Sequence, residues 1–354
     1  MKGRLPVRQA ILNRRTYEAP AEGRLGKIRL DFNENTGGCS KAVLRALARL
    51  TPQQIAMYPE YAASSRRLAK YFGVRDEELL LTNGGDDALR VFFDAFVEPA
   101  SSVLICEPTF PMYRYYAEIY GARINVLRYD ENMQFPLPQA IAALRKKPRV
   151  FFLANPNNPT GTLIPPAQIK KLLAAATHTA VVLDEAYFDF SGATVIPWIS
   201  KYPQLFVTRT FSKAAGLAAL RLGADIACKD SLQLLRAAVP PFPVNVPALV
   251  AAEAAVKDQK SIRSWVNDVK KTRSWFAAEL TSLGVKHFPT AANFILADLG
   301  PSGSQLVRTL HLKGILIRDR SKDMGSGFVR ITIGTAGEMR SLLREIKKFK
   351  GTVS

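Results

Sequence analysis

Residues 180–190 read AVVLDEAYFDF, an apolar run from Ala180 to Leu183 that stops on a carboxylate, Asp184. A short uninterrupted aliphatic run of this kind suits a strand buried on both faces, as in a parallel sheet covered by helices. Working outward, similar runs recur at Leu79–Thr82, Val103–Cys106, Val150–Leu153, Leu205–Thr208 and Ala224–Ala227. Helix-period segments alternate with them. After Asn83-Gly84-Gly85, for example, Ala88, Val91, Phe92, Ala95 and Phe96 share one helical face. The alternation predicts an α/β fold with a mostly parallel central sheet and helices on both faces. The Pro-rich stretch 240–247 predicts a boundary. Beyond it come helical patterns over Ala248–Lys257 and Ser261–Leu283, then strand-like runs at Asn293–Leu296, Ile315–Arg318 and Phe328–Ile333. A closing helix with Met339, Leu342, Leu343 and Ile346 on one face completes a smaller α+β domain. The expected division is an N-terminal arm with part of the small domain (1–40), a large domain (41–243) and a small C-terminal domain (244–354).

Composition narrows the class of molecule. The chain has 354 residues, 47% of them hydrophobic, enough for two buried cores. No apolar run approaches the roughly 20 residues that span a bilayer, and the start, MKGRLPVRQAILNRR, lacks the apolar core of a signal peptide. Cys39, Cys106 and Cys228 are odd in number and widely spaced, which argues against disulfides and against a metal site. A cytoplasmic protein with no membrane partner is expected. The net charge of +19 is spread over short groups such as Arg66-Arg67, Lys170-Lys171 and Lys347–Lys350, without a nucleic-acid-binding motif. Solvated faces account for it, and no nucleic-acid partner is expected.

The polar residues that invite chemistry fall after successive strands, where open α/β sheets bind ligands. Gly84-Gly85-Asp86 follows the first strand and opens a helix, the setting in which backbone N–H groups cradle a phosphate. The turn Asn155-Pro156-Asn157-Asn158-Pro159-Thr160-Gly161 follows the third. Asp184 ends the fourth, where a carboxylate is costly unless paired. Lys213 follows the fifth within Thr210-Phe211-Ser212-Lys213, with Arg221 on the same segment. An amine to hold an aldehyde, a carboxylate for a ring nitrogen, hydroxyl or amide donors for a phenolate (Tyr187, Asn158) and a phosphate cup are what pyridoxal 5′-phosphate requires. No metal is called for.

With these segments in hand, the chain resembles the fold-type-I pyridoxal-phosphate-dependent aminotransferases, in particular their histidinol-phosphate aminotransferase branch. The resemblance is carried by DFNENTGG (31–38), MYPEY (57–61), LTNGGDDAL (81–89), EPTFPMY (107–113), NPNNPTG (155–161), VVLDEAYFDF (181–190), RTFSKAAGLAALRLG (209–223), GILIRD (314–319) and FVRITIGT (328–335), in family order. It implies that Lys213 is the Schiff-base lysine and Asp184 the partner of the ring nitrogen, with Tyr187 and Asn158 on the phenolate oxygen. Gly85, Asp86, Thr210, Ser212 and Arg221 would surround the phosphate, and the ring of Phe110 would stack on the cofactor. Tyr58 would reach the phosphate in a neighbouring subunit, implying a homodimer. Arg330 resembles the arginine that clamps the substrate's α-carboxylate, Asn35 lies in a loop lining the same pocket, and Tyr17 and Arg318 match positions that recognise a side-chain phosphate. The implied reaction moves an amino group between histidinol phosphate and 2-oxoglutarate, a step of histidine biosynthesis. An aromatic amino-acid aminotransferase and a decarboxylase of a phosphorylated amino acid stand as alternatives. Thr36, Gly37 and Phe110 depart from the family's usual residues at the substrate end, so the donor is the least constrained part of this reading.

Overall fold

The computed structural model describes residues 6–12 and 22–353. Its strands, in chain order, are β1 (Ile28–Leu30), β2 (Leu79–Thr82), β3 (Ser102–Glu107), β4 (Arg123–Arg128), β5 (Val150–Ala154), β6 (Ala180–Asp184), β7 (Leu205–Thr210), β8 (Gly223–Ile226), β9 (Lys286–His287), β10 (Phe294–Asp298), β11 (Ile315–Asp319) and β12 (Phe328–Thr332). Seven of them form one sheet in the order β2-β8-β7-β6-β5-β3-β4. Its neighbours run parallel except at β8, which is antiparallel to both β2 and β7. The mostly parallel α/β sheet expected from the apolar runs is therefore what the chain adopts, with helices on both faces.

Alternate side chains explain why those runs are continuous. From β5, Phe151 and Leu153 enter the core on one face, while Val150, Phe152 and Ala154 enter the core on the other. Helix Gly85–Phe96 covers the second face with Leu89, Val91, Phe92 and Phe93, all buried. Burial of each such ring contributes roughly 1.5–3 kcal/mol. Phe152 stacks on both Phe93 and Tyr113, with centroids at 4.9 Å and 5.4 Å, so this packing reaches the ring of Tyr113.

A second sheet, in the order β1-β11-β12-β10-β9, has a separate core that includes Leu30, Phe276, Phe294, Ile331 and Met339. Only its β1–β11 pair is parallel. Three strands have no counterpart among the sequence expectations. β4 carries arginines at both ends and lies at a sheet edge with little buried surface, so its pattern lacks an apolar run. β9 has two residues, and β1 exists through its pairing with Ile315–Ile317 far along the chain. One helix beyond the expected boundary after residue 243 packs against the large sheet. Helix Val246–Lys257 sends Ala248, Leu249, Ala251, Ala252 and Ala255 into the core of the seven-stranded sheet, because its small side chains allow close approach there. Among the described residues no helix is long and apolar enough to cross a membrane.

Candidate active site

Strand ends of the large sheet, the N-terminal segment and residues of the smaller sheet meet around a cavity of about 510 Å³. Its walls bring together Gly85, Asp86, Phe110, Asn158, Asp184, Tyr187, Thr210, Ser212, Lys213, Arg221, Arg318 and Arg330. That volume lies within the range of small-molecule sites.

The phosphate-cup segments are shaped by close approach. Gly84 has φ +83°, and a Cβ there would lie 2.6 Å from Arg221 Nη2. A Cβ on Gly223 would meet the backbone carbon of Gly84 at the same 2.6 Å, so the start of β8 lies against this turn. The first N–H groups of helix Gly85–Phe96 have no intrahelical acceptor and form the positive end of the helix dipole. Arg221 Nη2 donates to Asp86 Oδ2 at 3.1 Å. Arg221 holds the left-handed conformation at φ +53°, a strain of about 1 kcal/mol or more that its surroundings sustain. Thr210 Oγ1 donates to Ser212 Oγ at 2.9 Å, which places two hydroxyls at the same rim. Together these groups offer an anion a cradle of N–H donors, hydroxyls and one guanidinium.

Asp184 accepts from Tyr113 Oη at 2.7 Å and from the Ala186 N–H at 3.0 Å. Burial raises its carboxyl above the ordinary range, opposed by Tyr113, Ala186 and Thr208. A cation presented to Asp184 would lift that penalty. Lys213 Nζ donates to the Phe32 carbonyl at 3.1 Å and lies 5.9 Å from the Tyr187 ring centre. Burial first, and the cation of Arg330 second, push its amine down to about 8. Tyr187 Oη accepts from Asn33 Nδ2 at 2.8 Å. Arg330 Nη1 donates to Asn158 Oδ1 at 2.6 Å and Nη2 donates to the Asp31 carbonyl. The carbonyl end of Asn158 is thereby committed, and its NH₂ end is the remaining donor. Burial lowers Arg330 to about 10. A lysine, a carboxylate, phenolate-oxygen donors and an anion cradle on one cavity fit pyridoxal phosphate group by group.

Two expected positions fall elsewhere. Asn35 does not line the cavity; its Nδ2 donates to the Ala214 carbonyl at 3.0 Å. The turn of the chain presents Asn33 to the cavity instead, where Tyr187 engages it. Tyr58 is 76% exposed and stacks on Phe242 at 4.4 Å, outside this cavity. Tyr17 lies outside the described residues. Sequence reasoning did not single out Tyr113, Thr208, Arg24, Phe32, Glu34 or Arg320. Of these, Tyr113, Phe32 and Glu34 stood within quoted motifs, and nothing in their spacing marked them. Arg24 bridges Asp31 and Glu34 with Nη2 contacts of 2.6 Å and 2.8 Å and lies 4.1 Å above the Phe32 ring.

Residues 26–346 match the family model described as aminotransferase class I and II. The histidinol-phosphate aminotransferase of Geobacillus sp. (strain WCH70) is 34% identical over 326 residues, covering 90% of this chain and 89% of that protein. The histidinol-phosphate aminotransferase of Sinorhizobium meliloti in complex with pyridoxal-5′-phosphate superimposes with a TM-score of 0.84 at 25% identity, covering 91% of each chain. The L-threonine-O-3-phosphate decarboxylase of Porphyromonas gingivalis superimposes with a TM-score of 0.81 at 26% identity, covering 92% of this chain and 99% of that one.

Proposed function

The chain belongs to the class I and II aminotransferase family and is a pyridoxal-phosphate-dependent aminotransferase; on that premise we propose that histidinol phosphate is its amino donor and 2-oxoglutarate its acceptor. The observation that carries the choice of donor is the cationic end of the cavity, where Arg318, Arg320 and Arg330 line the wall beyond Lys213. Such a cluster suits a phosphorylated substrate better than a neutral aromatic one.

Bound pyridoxal phosphate supplies an aldehyde that captures amines and a ring that takes up the electrons of a broken α-C–H bond. Lys213 is the amine that holds the aldehyde. Its Nζ would also be the group that moves a proton from the substrate's α-carbon to the cofactor's C4′. An amine lowered to about 8 is roughly one tenth unprotonated at pH 7, far more than an ordinary lysine, as a base needs. Asp184 holds the proton on the ring nitrogen, with Tyr113 and the Ala186 N–H fixing its orientation. Tyr187 Oη and the Asn158 amide donate to the phenolate oxygen. The N–H groups of Gly85 and Asp86, the hydroxyls of Thr210 and Ser212, and Arg221 would hold the phosphate, and Phe110 would supply the aromatic wall beside the ring. Arg330 and Arg318, with Tyr17, bind the anionic groups of the substrates. Tyr58 contributes to the phosphate site of a second copy in a homodimer, which suits its exposure on the surface.

Single-turnover absorbance of the loaded enzyme with histidinol phosphate, phenylalanine, tyrosine and glutamate in parallel tests this reading. Histidinol phosphate should discharge the visible band fastest, by at least about tenfold, and a faster response to phenylalanine would replace it with an aromatic donor. Likeness to the threonine-phosphate decarboxylase favours a second reading, in which a phosphorylated amino acid loses carbon dioxide. Release of carbon dioxide, with no amino group passed to the cofactor, would establish it.

A further inference from the structure

Asp225 sits in the middle of β8 with no exposed surface, and neither carboxyl oxygen has a hydrogen-bond partner among the described residues. Unpartnered buried carboxyls are rare and call for a physical reason. The sheet register places it. Leu80 pairs with Asp225, Asp225 with Thr208, Thr208 with Asp184, and Asp184 with Ala154. Ladder partners project to the same face. These five residues therefore make one row across β2, β8, β7, β6 and β5. The apolar ends of the row, Leu80 and Ala154, pack in the core beneath helix Gly85–Phe96. Two carboxyls thus flank a single hydroxyl in a water-poor layer, and one of the two is the group assigned above to the cofactor's ring nitrogen.

The carboxyls differ in their partners. Asp184 receives hydrogen bonds from Tyr113 and the Ala186 N–H, and the Thr208 hydroxyl further favours its charged form. Asp225 receives none. Burial pushes its carboxyl well above the usual range, and the negative charges that face it, Asp87 from the covering helix and Asp184 along the row, push it the same way. In such a pair the unsupported carboxyl keeps its proton. A protonated carboxyl has one O–H to donate, and Thr208 is its polar neighbour on the row. Cβ atoms of a cross-strand pair lie about 4.5–5.5 Å apart, a gap that a small side-chain rotation closes.

We infer that Asp225 is a positioning residue for Asp184. As a neutral acid it donates to Thr208 Oγ1, which commits the Thr208 hydroxyl to donate to Asp184 and leaves Asp184 as the single ionised member of the row. This rests on the assignment of Asp184 to the ring nitrogen.

The test is pyridoxal phosphate titrated into apoprotein, with thermal unfolding of the same apoprotein samples. Asp225→Leu replaces a fully buried carboxyl, held by the Thr208 contact alone, with an apolar side chain, so the apoprotein should melt no lower than the parent while its cofactor Kd rises about tenfold. Asp225→Asn keeps neutrality and a donor, and should bind within about twofold of the parent. Thr208→Val should weaken binding as Asp225→Leu does, and the double variant should be no weaker than either single one. Unchanged affinity in Asp225→Leu overturns the inference. So does a joint loss of stability and affinity in both Asp225 variants, or additive losses in the double variant. A parent apoprotein that does not take up pyridoxal phosphate at all would instead remove the cofactor assignment itself.

Discussion

Lys213, Asp184 and Thr210 stand at or just beyond the carboxyl ends of β6 and β7, whereas Arg24, Phe32, Arg318 and Arg320 reach the same cavity from the N-terminal segment and the smaller sheet. At the first end each group is tied to a ladder. Moving Asp184 means breaking its pairing with Ala154 and Thr208 and displacing Tyr113, whose ring is stacked on Phe152. At the second end the side chains are held by one another: Arg24 spans Asp31 and Glu34, and the guanidinium carbons of Arg24 and Arg318 lie 4.1 Å and 5.8 Å from the Phe32 ring centre. Ion pairs and ring contacts can be exchanged singly, but a ladder shifts only as a whole. Such a division lets the cofactor chemistry stay constant while the preferred donor changes. Arg330 joins the two ends, because it stands on β12 of the smaller sheet and donates to Asn158 in the turn after β5.

Breaking the first end should have the largest effect. Lys213→Ala should lower kcat by on the order of 10⁴-fold or more and remove the visible absorbance of the loaded enzyme. Turnover or absorbance that survives in the purified variant would end the assignment. Cutting the link should cost less. Arg330→Met is expected to lower kcat/KM by roughly 100-fold, mostly through KM, because a buried cation with two acceptors is lost along with its hold on the substrate. Equal losses in kcat alone would place Arg330 with the cofactor end instead. The smallest effect sharpens the comparison through pH. Burial and Arg330 hold the Lys213 amine at about 8, so below that pH its protonated form cannot attack the aldehyde. Capture of pyridoxal phosphate by apoprotein, followed by stopped-flow absorbance, should speed up about tenfold per pH unit and level off above about 8. In Arg330→Met the bend should move to higher pH, since a repelling cation is gone; an unmoved bend would mean that the two ends are electrically independent.

How much of this was legible depended on whether a residue's role was local. Lys213, Asp184, Asn158 and Gly85 stand at, or within a few residues of, the ends of apolar runs, so the strand-end rule pointed to them without coordinates. Asn35 was misplaced because the loop Asp31–Gly38 contains two asparagines, and only the direction of the chain against Ala214 decides which one faces the cavity. Tyr113 was invisible as a partner of Asp184, since their hydrogen bond joins a helix to a strand through the stacking of Phe152. Asp225 is the one polar residue of the run Ala224–Ala227, and its relation to Asp184 exists only through the register of β8.

The amino-acid sequence by itself determined the class of fold, the alternation that builds the large sheet, and the residue types that meet each demand of the cofactor. Those follow from periodicity and from strand ends, which are properties of neighbouring residues. Tertiary structure alone decided the three-residue β1, the packing of helix Val246–Lys257 in the first core, the turning of Asn33 rather than Asn35 into the cavity, and the row that joins Asp225 to Asp184. Each of these is a relation between segments distant in the chain, set by which surfaces can pack closely and which hydrogen-bond partners remain once water is excluded.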